Sequence, residues 1–237
     1  MMTLKINGLG TVWTIELEVE DKKLIDIINR TIVEFENSYS RFLEGSVLSQ
    51  LNNGKIVHNP DTEFIELIKF AKKMYKETNS VFNICVGGIL EDRGYGKPTH
   101  TGVITDPIKS IETGEDYIKL SDDTRIDFGG FGKGWLVDKL VKLISKANIS
   151  KFLINAGGDI FSNNETEIYL EHPVFNYKFI GKILLNKKGL ACSSREKRKW
   201  KYNNNEFNHI VETRSFNNIN LKEKVVGSFI IAENLSV

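Results

Sequence analysis

The chain has 237 residues, 41% hydrophobic and 27% charged, enough for a real core in one large domain or two modest lobes. Its 32 basic and 31 acidic residues leave a net charge of +1, a balance that argues against a dedicated nucleic-acid or membrane-surface protein. Two cysteines, Cys85 and Cys192, form no CxxC pair, which disfavours a disulfide framework or a zinc site and suits a reducing compartment.

Residues 1–8 carry no apolar signal-like stretch, and no run approaches the length of a membrane span. The expectation is therefore a cytoplasmic protein without a stable membrane anchor. Residues 11–18 alternate in polarity and predict a strand. Asp21 then predicts the cap of a helix whose apolar positions Leu24, Ile28, Ile32 and Phe35 recur every three or four residues. A loop over 40–46 leads to a short polar stretch ending in Leu51-Asn52. Pro60-Asp61 predicts the start of a second helix, with Phe64, Ile65, Ile68, Ala71 and Tyr75 on one side. Residues 80–96 are apolar and glycine-bearing, and 104–120 are weakly patterned. A third helix is expected from Trp135 to about Ala147, burying Leu136, Leu140, Val141, Leu143 and Ile144. The last third alternates strands and turns, with a basic run that would set Arg195, Lys197, Lys199 and Lys201 on one strand face. Helices and strands are interspersed without a regular series of βαβ units, which predicts an α+β fold.

The most informative segment is Arg125-Ile126-Asp127-Phe128-Gly129-Gly130-Phe131-Gly132-Lys133-Gly134. It reads as a short strand with one carboxylate running into four glycines, a lysine and a helix. About twenty residues later a second strand ends in Asn155-Ala156-Gly157-Gly158-Asp159. Glycine-rich turns of this kind let the backbone approach a pyrophosphate, with helix amides facing the anion and a carboxylate left for a sugar, ring or metal. The spacing matches neither G-x-x-x-x-G-K-[ST] nor G-x-G-x-x-G. On these residues alone a ligand site and a pair of structural turns both stand.

In their order these motifs resemble the ApbE-type flavin transferases (FAD:protein FMN transferases). Gly10-Thr11 matches that family's opening Gly-Thr pair. Ser40-Arg41-Phe42-Leu43-Glu44-Gly45-Ser46 with Leu48, Leu51 and Asn52 matches S-x-[FY]-x-x-x-S-x-[LI]-x-x-[LI]-N. Residues 81–90 resemble G-x-F-D-x-x-x-G-x-L, and residues 127–138 carry D-[LF]-G-G-[IF]-[AG]-K-G-x-x-V-D almost unchanged. N-x-G-G-D follows at 155–159. Ala191-Cys192-Ser193-Ser194 is similar to A-T-S-G, and His209-Ile210-Val211-Glu212-Thr213-Arg214-Ser215 is similar to H-I-I-D-P-R-T. The resemblance spans about residues 8 to 231.

The resemblance implies an ApbE-like fold of mixed and antiparallel sheets packed with helices, formed by residues 1–237 as a single flavin transferase domain with the FAD site between two lobes. It implies transfer of FMN from FAD to a Ser or Thr hydroxyl of an acceptor protein, with Mg²⁺ and release of AMP. By the same resemblance Asp127, Lys133 and Asp159 serve the FAD site, and Leu9, Phe42, Val81, Phe82, Asn83 and Ile210 align with cofactor contacts. The Gly130 carbonyl aligns with a metal ligand, an oxygen donor that suits Mg²⁺. His209 aligns with the catalytic position, as base or phosphate contact, because a neutral imidazole accepts a hydroxyl proton near pH 7.

Structural alternatives stand beside these roles: Asp127 as a turn cap, His209 as an exposed strand residue, Cys192 as a small buried residue, and the basic run as a solvated face. Lys133 opposes the dipole of the helix it opens, which favours an anionic ligand there. His58, His100 and His172 match no motif and read as surface histidines. The sequence also departs from the family pattern. Asn83 stands for Asp, Thr213 for Pro and Phe216 for Gly, and the chain stops near where a D-A-x-x-T element with further metal ligands begins. The expectation is thus a fragment or a chain without its usual Mg²⁺ site. The alternatives to the transferase are a non-catalytic FAD-binding protein and an FAD pyrophosphatase giving FMN and AMP.

Overall fold

The computed structural model describes residues 1–97, 102–213 and 225–236. In chain order the elements begin with β1 (Met2–Gly8), β2 (Thr11–Leu17), α1 (Lys22–Tyr39), α2 (Val47–Gly54), β3 (Ile56–His58), α3 (Thr62–Glu77) and α4 (Gly87–Asp92). They continue with α5 (Pro107–Ser110), β4 (Ile111–Thr113), β5 (Tyr117–Leu120), α6 (Gly132–Lys146), β6 (Phe152–Ala156), β7 (Ile160–Ser162) and β8 (Thr166–Glu171). The last are β9 (Phe179–Leu185), β10 (Lys188–Ser194), β11 (Lys199–Tyr202), β12 (Asn205–Asn208) and β13 (Gly227–Ala232). These antiparallel sheets and separate helices make an α+β fold, as expected.

The chain divides into two compact units. The first comprises Met1–Glu36, Phe131–Arg198 and Lys224–Val237. Its centre is a six-stranded antiparallel sheet in the order β1-β2-β6-β7-β10-β13. The alternation that predicts β2 follows from its burial: Trp13, Ile15 and Leu17 turn inward, and Phe152, Ile154 and Ala156 do the same on β6. Leu24, Ile28, Ile32 and Phe35 of α1 are buried as predicted, and Asp21 accepts from the Leu24 N–H at 3.1 Å. The β1–β2 loop is Leu9-Gly10, with φ of 51° and 69°, the two positive values that a tight hairpin compatible with strand twist requires.

The second unit comprises Asn37–Gly130 and Lys199–Glu223. It contains α2 to α5, the sheet β3-β5-β4 and the hairpin β11–β12. Tyr39, Phe64 and Phe128 form an aromatic cluster in its core, with ring centroids 5.5–6.3 Å apart. Asp61 caps α3 through the Phe64 N–H at 2.7 Å and also accepts from the Tyr39 hydroxyl at 2.7 Å. On α3 the buried face includes Leu67 and Met74, whereas Ile65 and Tyr75 are half-buried.

Four expectations are corrected. The stretch before Asn52 is a helix, α2, because Ser46 caps it through the Ser49 N–H at 2.9 Å and Leu48 and Leu51 are buried. Residues 125–128 are in no sheet. Their backbone is held by a side chain and by loops: Asn52 accepts from the Ile126 N–H at 2.8 Å and donates to its carbonyl at 2.9 Å, while the Asp127 N–H donates to Ile84 O at 2.9 Å. Helix α6 starts at Gly132, three residues earlier than Trp135, and buries Val137 with Leu136, Leu140 and Ile144, leaving Val141 and Leu143 half-buried. A turn over 195–198 interrupts the basic run, so only Lys199 and Lys201 of its four predicted face residues lie on a strand.

Candidate functional site

In the second unit, Asp127 sits at the turn that leads into α6. One carboxylate oxygen accepts from the Gly129 N–H at 2.6 Å, and the other accepts from Arg41 Nε. The turn-capping role foreseen for Asp127 is therefore real, and with the Arg41 ion pair on the other oxygen it leaves both oxygens held. Each oxygen retains a further lone pair for a ligand donor. Gly130 follows, with the ring of Phe82 3.5 Å from where its Cβ would stand.

The segment 81–83 lies beside this turn. Asn83 donates to Thr105 O at 2.9 Å and accepts from the Cys85 N–H at 2.8 Å, so its amide holds the loop. Val81 is exposed, and its carbonyl accepts from the Thr213 hydroxyl at 2.7 Å. That bond, together with a second to Ser80 O at 3.0 Å, ties the segment after His209 to the segment 80–83. His209 is half-buried and follows the last residue of β12, outside the strand itself. Ile210 is exposed, and its N–H donates to Asn208 at 3.0 Å. Arg214, Ser215 and Phe216 of the same motif, like His100 and Val237, lie outside the described residues.

Phe42 is 56% exposed, unusual for a phenylalanine. It is nevertheless fixed, with the Arg41 guanidinium 4.3 Å from its ring centroid and Tyr95 edge-on at 5.5 Å. Tyr95 stacks on Trp200 at 4.7 Å, and the Trp200 N–H donates to Arg93 O at 2.6 Å. The result is an aromatic row ending in a largely exposed ring, against which a flat heteroaromatic can stack.

In the first unit, α6 opens at Phe131, whose ring has no acceptor with which to cap the helix. Its first amides and positive dipole end suit an anion. Lys133 stands in the first turn and pairs with Asp159 at 2.8 Å. Asp159 belongs to the β6–β7 turn, where Asn155 accepts from the Gly157 and Gly158 N–H groups at 3.0 and 3.1 Å. Gly157 has φ of 71°, and a Cβ there would lie 2.1 Å from Thr11 Oγ1. Only glycine lets this turn close on the β1–β2 hairpin that carries Leu9. The Leu9 N–H donates to Glu36 at 2.8 Å. Cys192 packs behind Gly158, and burial, aided by the nearby Asp159 charge, pushes its thiol up to about 11.

The predicted residues thus gather into two sets. Asp127, Gly130, Phe82 and Asn83 neighbour one another in the second unit, with Phe42 joined through Arg41 and the His209 segment through Thr213. Lys133 and Asp159 pair in the first, and Leu9 lies on the hairpin against which the Gly157 turn closes. Among the described residues no cluster of three or more His, Cys, Asp or Glu side chains could hold a metal ion, and no helix is long and apolar enough to cross a membrane. His58 is an exposed strand residue, and His172 accepts from the Val174 and Phe175 N–H groups at 3.1 Å within its own turn.

Sequence reasoning passed over Arg41, Glu91 and Arg125, which form a buried charge network with Asp127. The available signal was the charged triplet Glu91-Asp92-Arg93 inside an otherwise largely apolar and glycine-bearing run.

Comparison with known proteins gives a consistent result. The profile of the ApbE family matches residues 9–230. A protein named FAD:protein FMN transferase from Buchnera aphidicola subsp. Schizaphis graminum is 21% identical, over 90% of this chain and 71% of its own length. A protein of the same name from Klebsiella pneumoniae is 22% identical, over 87% of this chain and 70% of its own. The ApbE protein of Thermotoga maritima superposes with a TM-score of 0.84 at 20% identity, covering 99% of this chain and 82% of that one. The flavin transferase ApbE of Vibrio cholerae gives 0.77 at 19% identity, with 99% and 82% covered. At these identities the superpositions establish the fold.

Proposed function

The chain belongs to the ApbE family, and on that footing we propose that it is an FAD:protein FMN transferase. It takes FAD as substrate, transfers the FMN moiety to a Ser or Thr hydroxyl of an acceptor protein, and releases AMP. The observation that carries this reading is the contiguous segment 127–134. There a doubly held carboxylate, a glycine turn, a helix start without a side-chain cap bond and a lysine follow one another without interruption.

The chemistry is a displacement at phosphorus. The acceptor hydroxyl oxygen forms a bond to the phosphorus of the FMN half, the bond from that phosphorus to the bridging oxygen breaks, and AMP leaves with that oxygen. Lys133 and the first amides of α6 stabilise the negative charge on the pyrophosphate oxygens, and Asp159 holds the Lys133 ammonium in place. Asp127 accepts from a polar N–H or O–H of the substrate. The exposed Phe42 ring offers the stacking face, and Leu9, Val81, Phe82, Asn83 and Ile210 supply flanking contacts. His209 takes the hydroxyl proton or binds phosphate.

Mg²⁺ belongs to the proposal as a family expectation. The Gly130 carbonyl is one oxygen donor suited to it. Among the described residues no group of three or more His, Cys, Asp or Glu side chains could hold a metal ion, and no step above runs through the metal.

The test is product analysis after incubation with FAD, Mg²⁺ and a Ser/Thr-containing acceptor. AMP formed only in the presence of acceptor, with no free FMN, supports the transferase. Free FMN and AMP without acceptor would replace it with an FAD pyrophosphatase, and bound but intact FAD would replace it with a non-catalytic flavin binder.

A further inference from the structure

Four charged side chains form one chain of contacts inside the second unit. Asp127 pairs with Arg41 Nε. Arg41 Nη1 lies 3.7 Å from Glu91 Oε1, and Glu91 Oε2 lies 2.7 Å from Arg125 Nε. The side chains are nearly sealed from solvent, at 10% exposure for Asp127, 3% for Arg41, 5% for Glu91 and 9% for Arg125. Further guanidinium nitrogens are engaged too, while the Arg125 Nε–Glu91 contact is an ion pair without a hydrogen bond. Arg41 Nη2 donates to Tyr95 O at 2.8 Å, and Arg125 donates to Asn52 O and to Asn53 Oδ1, each at 3.0 Å.

Such a network is expensive in desolvation, and well-packed apolar residues could replace it at no loss of stability. Its signs alternate, acid–base–acid–base, so the quartet is neutral. Glu91 stands between two guanidiniums that would otherwise repel each other. What the network accomplishes beyond neutrality is geometric. The planar Arg41 fork fixes one oxygen of Asp127 while its face lies over the exposed Phe42 ring at 4.3 Å and the Tyr95 ring at 5.3 Å. A lysine, a point charge on a flexible stem, cannot do both.

The geometry points to Arg41 as a positioning residue, buttressed by Glu91 and Arg125, that orients the Asp127 carboxylate and the Phe42 ring for the flavin nucleotide. Arg41 acts through these two groups rather than on the substrate itself. The inference rests on the FAD-binding reading above.

The test is a double-mutant cycle on FAD affinity, read by flavin fluorescence quenching and equilibrium dialysis with FAD alone. Arg41→Lys and Asp127→Asn are measured singly and together, with thermal unfolding recorded for each. Removing a charge-assisted bond at a buried site should weaken FAD binding by about tenfold or more in each single variant. The double variant should lie within about threefold of the weaker single, because both changes cut the same link. Arg41→Lys keeps the charge and should unfold near the wild-type temperature while still failing to recover affinity, a split that a merely structural role would not give. Losses that multiply in the double variant, or wild-type affinity in Arg41→Lys, would overturn the inference while leaving FAD binding intact. Wild-type protein that does not bind FAD would instead remove the functional reading beneath it. Glu91→Gln gives an independent arm, since it should weaken FAD binding in the wild-type background but not further in Arg41→Lys; additive loss there also counts against the network.

Discussion

Replacing Gly134 by alanine should destabilise this protein, against the ordinary rule for helices. Gly134 is in the first turn of α6, where alanine normally adds about 1 kcal/mol of helix stability. Here an added Cβ would lie 2.1 Å from Leu235 O and 2.6 Å from Leu235 C. Those are backbone atoms, so relief requires the segment 234–236 to move by roughly an ångström or more. That segment is anchored by Asp138, which accepts from the Leu235 N–H at 2.9 Å, the Ser236 N–H at 2.9 Å and the Ser236 hydroxyl at 2.6 Å. Leu235 itself is buried and fills the space over Gly189. Losing the Leu235 burial costs about 2 kcal/mol, and the three partly exposed bonds to Asp138 about 1 kcal/mol each. Complete expulsion would therefore cost about 5 kcal/mol against a gain of about 1; a partial shift keeps some contacts, so the net loss should be about 2–4 kcal/mol. The assay is urea unfolding of Gly134→Ala, Asp138→Ala and the double variant. Once Asp138→Ala has released the segment, Gly134→Ala should cost nothing more or become slightly stabilising. A neutral or stabilising Gly134→Ala in the otherwise unaltered chain would refute the packing argument.

Other outcomes follow from the same geometry. Lys133→Ala and Asp127→Ala should each raise the FAD dissociation constant by about tenfold or more, with Asp159→Asn having a smaller effect because it only loosens Lys133; unchanged affinity in both alanine variants would sink the site assignment. His209→Gln should reduce the single-turnover transfer rate by about a hundredfold while FAD binding changes little, and equal losses in both would reassign His209 to binding. Burial pushes the Cys85 thiol up to about 12 from 9.0, so between those pH values the unfolded thiol ionises and the folded one does not. Stability should accordingly fall by up to about 1.4 kcal/mol per pH unit over that window from this group alone. Cys85→Ala should flatten the alkaline decline measured by urea unfolding, and an identical slope would show that the thiol does not contribute.

How far the sequence could be read depended on whether a feature was local. The helices α1 and α3 declare themselves through a capping aspartate and an apolar face, and both caps are seen in the structure. The glycine turns were legible for the same reason, Gly157 adopting a positive φ of 71°, although its close approach to Thr11, whose hydroxyl oxygen an added Cβ would meet at 2.1 Å, was not. What could not be read is where distant residues meet. The segment 125–128 looks like a strand by composition, but its partners are an Asn side chain 74 positions away and isolated loop carbonyls. Helix α2 was missed because its buried apolar residues, Leu48 and Leu51, are few and its cap is a single serine. Arg41 appeared only as the variable position of a motif. Its importance depends on Asp127 and Glu91, which lie 86 and 50 positions further along, as 127 − 41 and 91 − 41 show.

The central claim is covalent transfer of FMN to a protein hydroxyl. The most direct measurement is in-gel flavin fluorescence of an acceptor protein after incubation with this chain, FAD and Mg²⁺, beside an acceptor whose target Ser or Thr is replaced by alanine. The account predicts a fluorescent band that survives denaturation, appears only with the intact hydroxyl, and is weakened when Lys133→Ala replaces the wild-type enzyme. A fluorescent band on the alanine acceptor, or no band on the intact one while FAD remains bound, would contradict it.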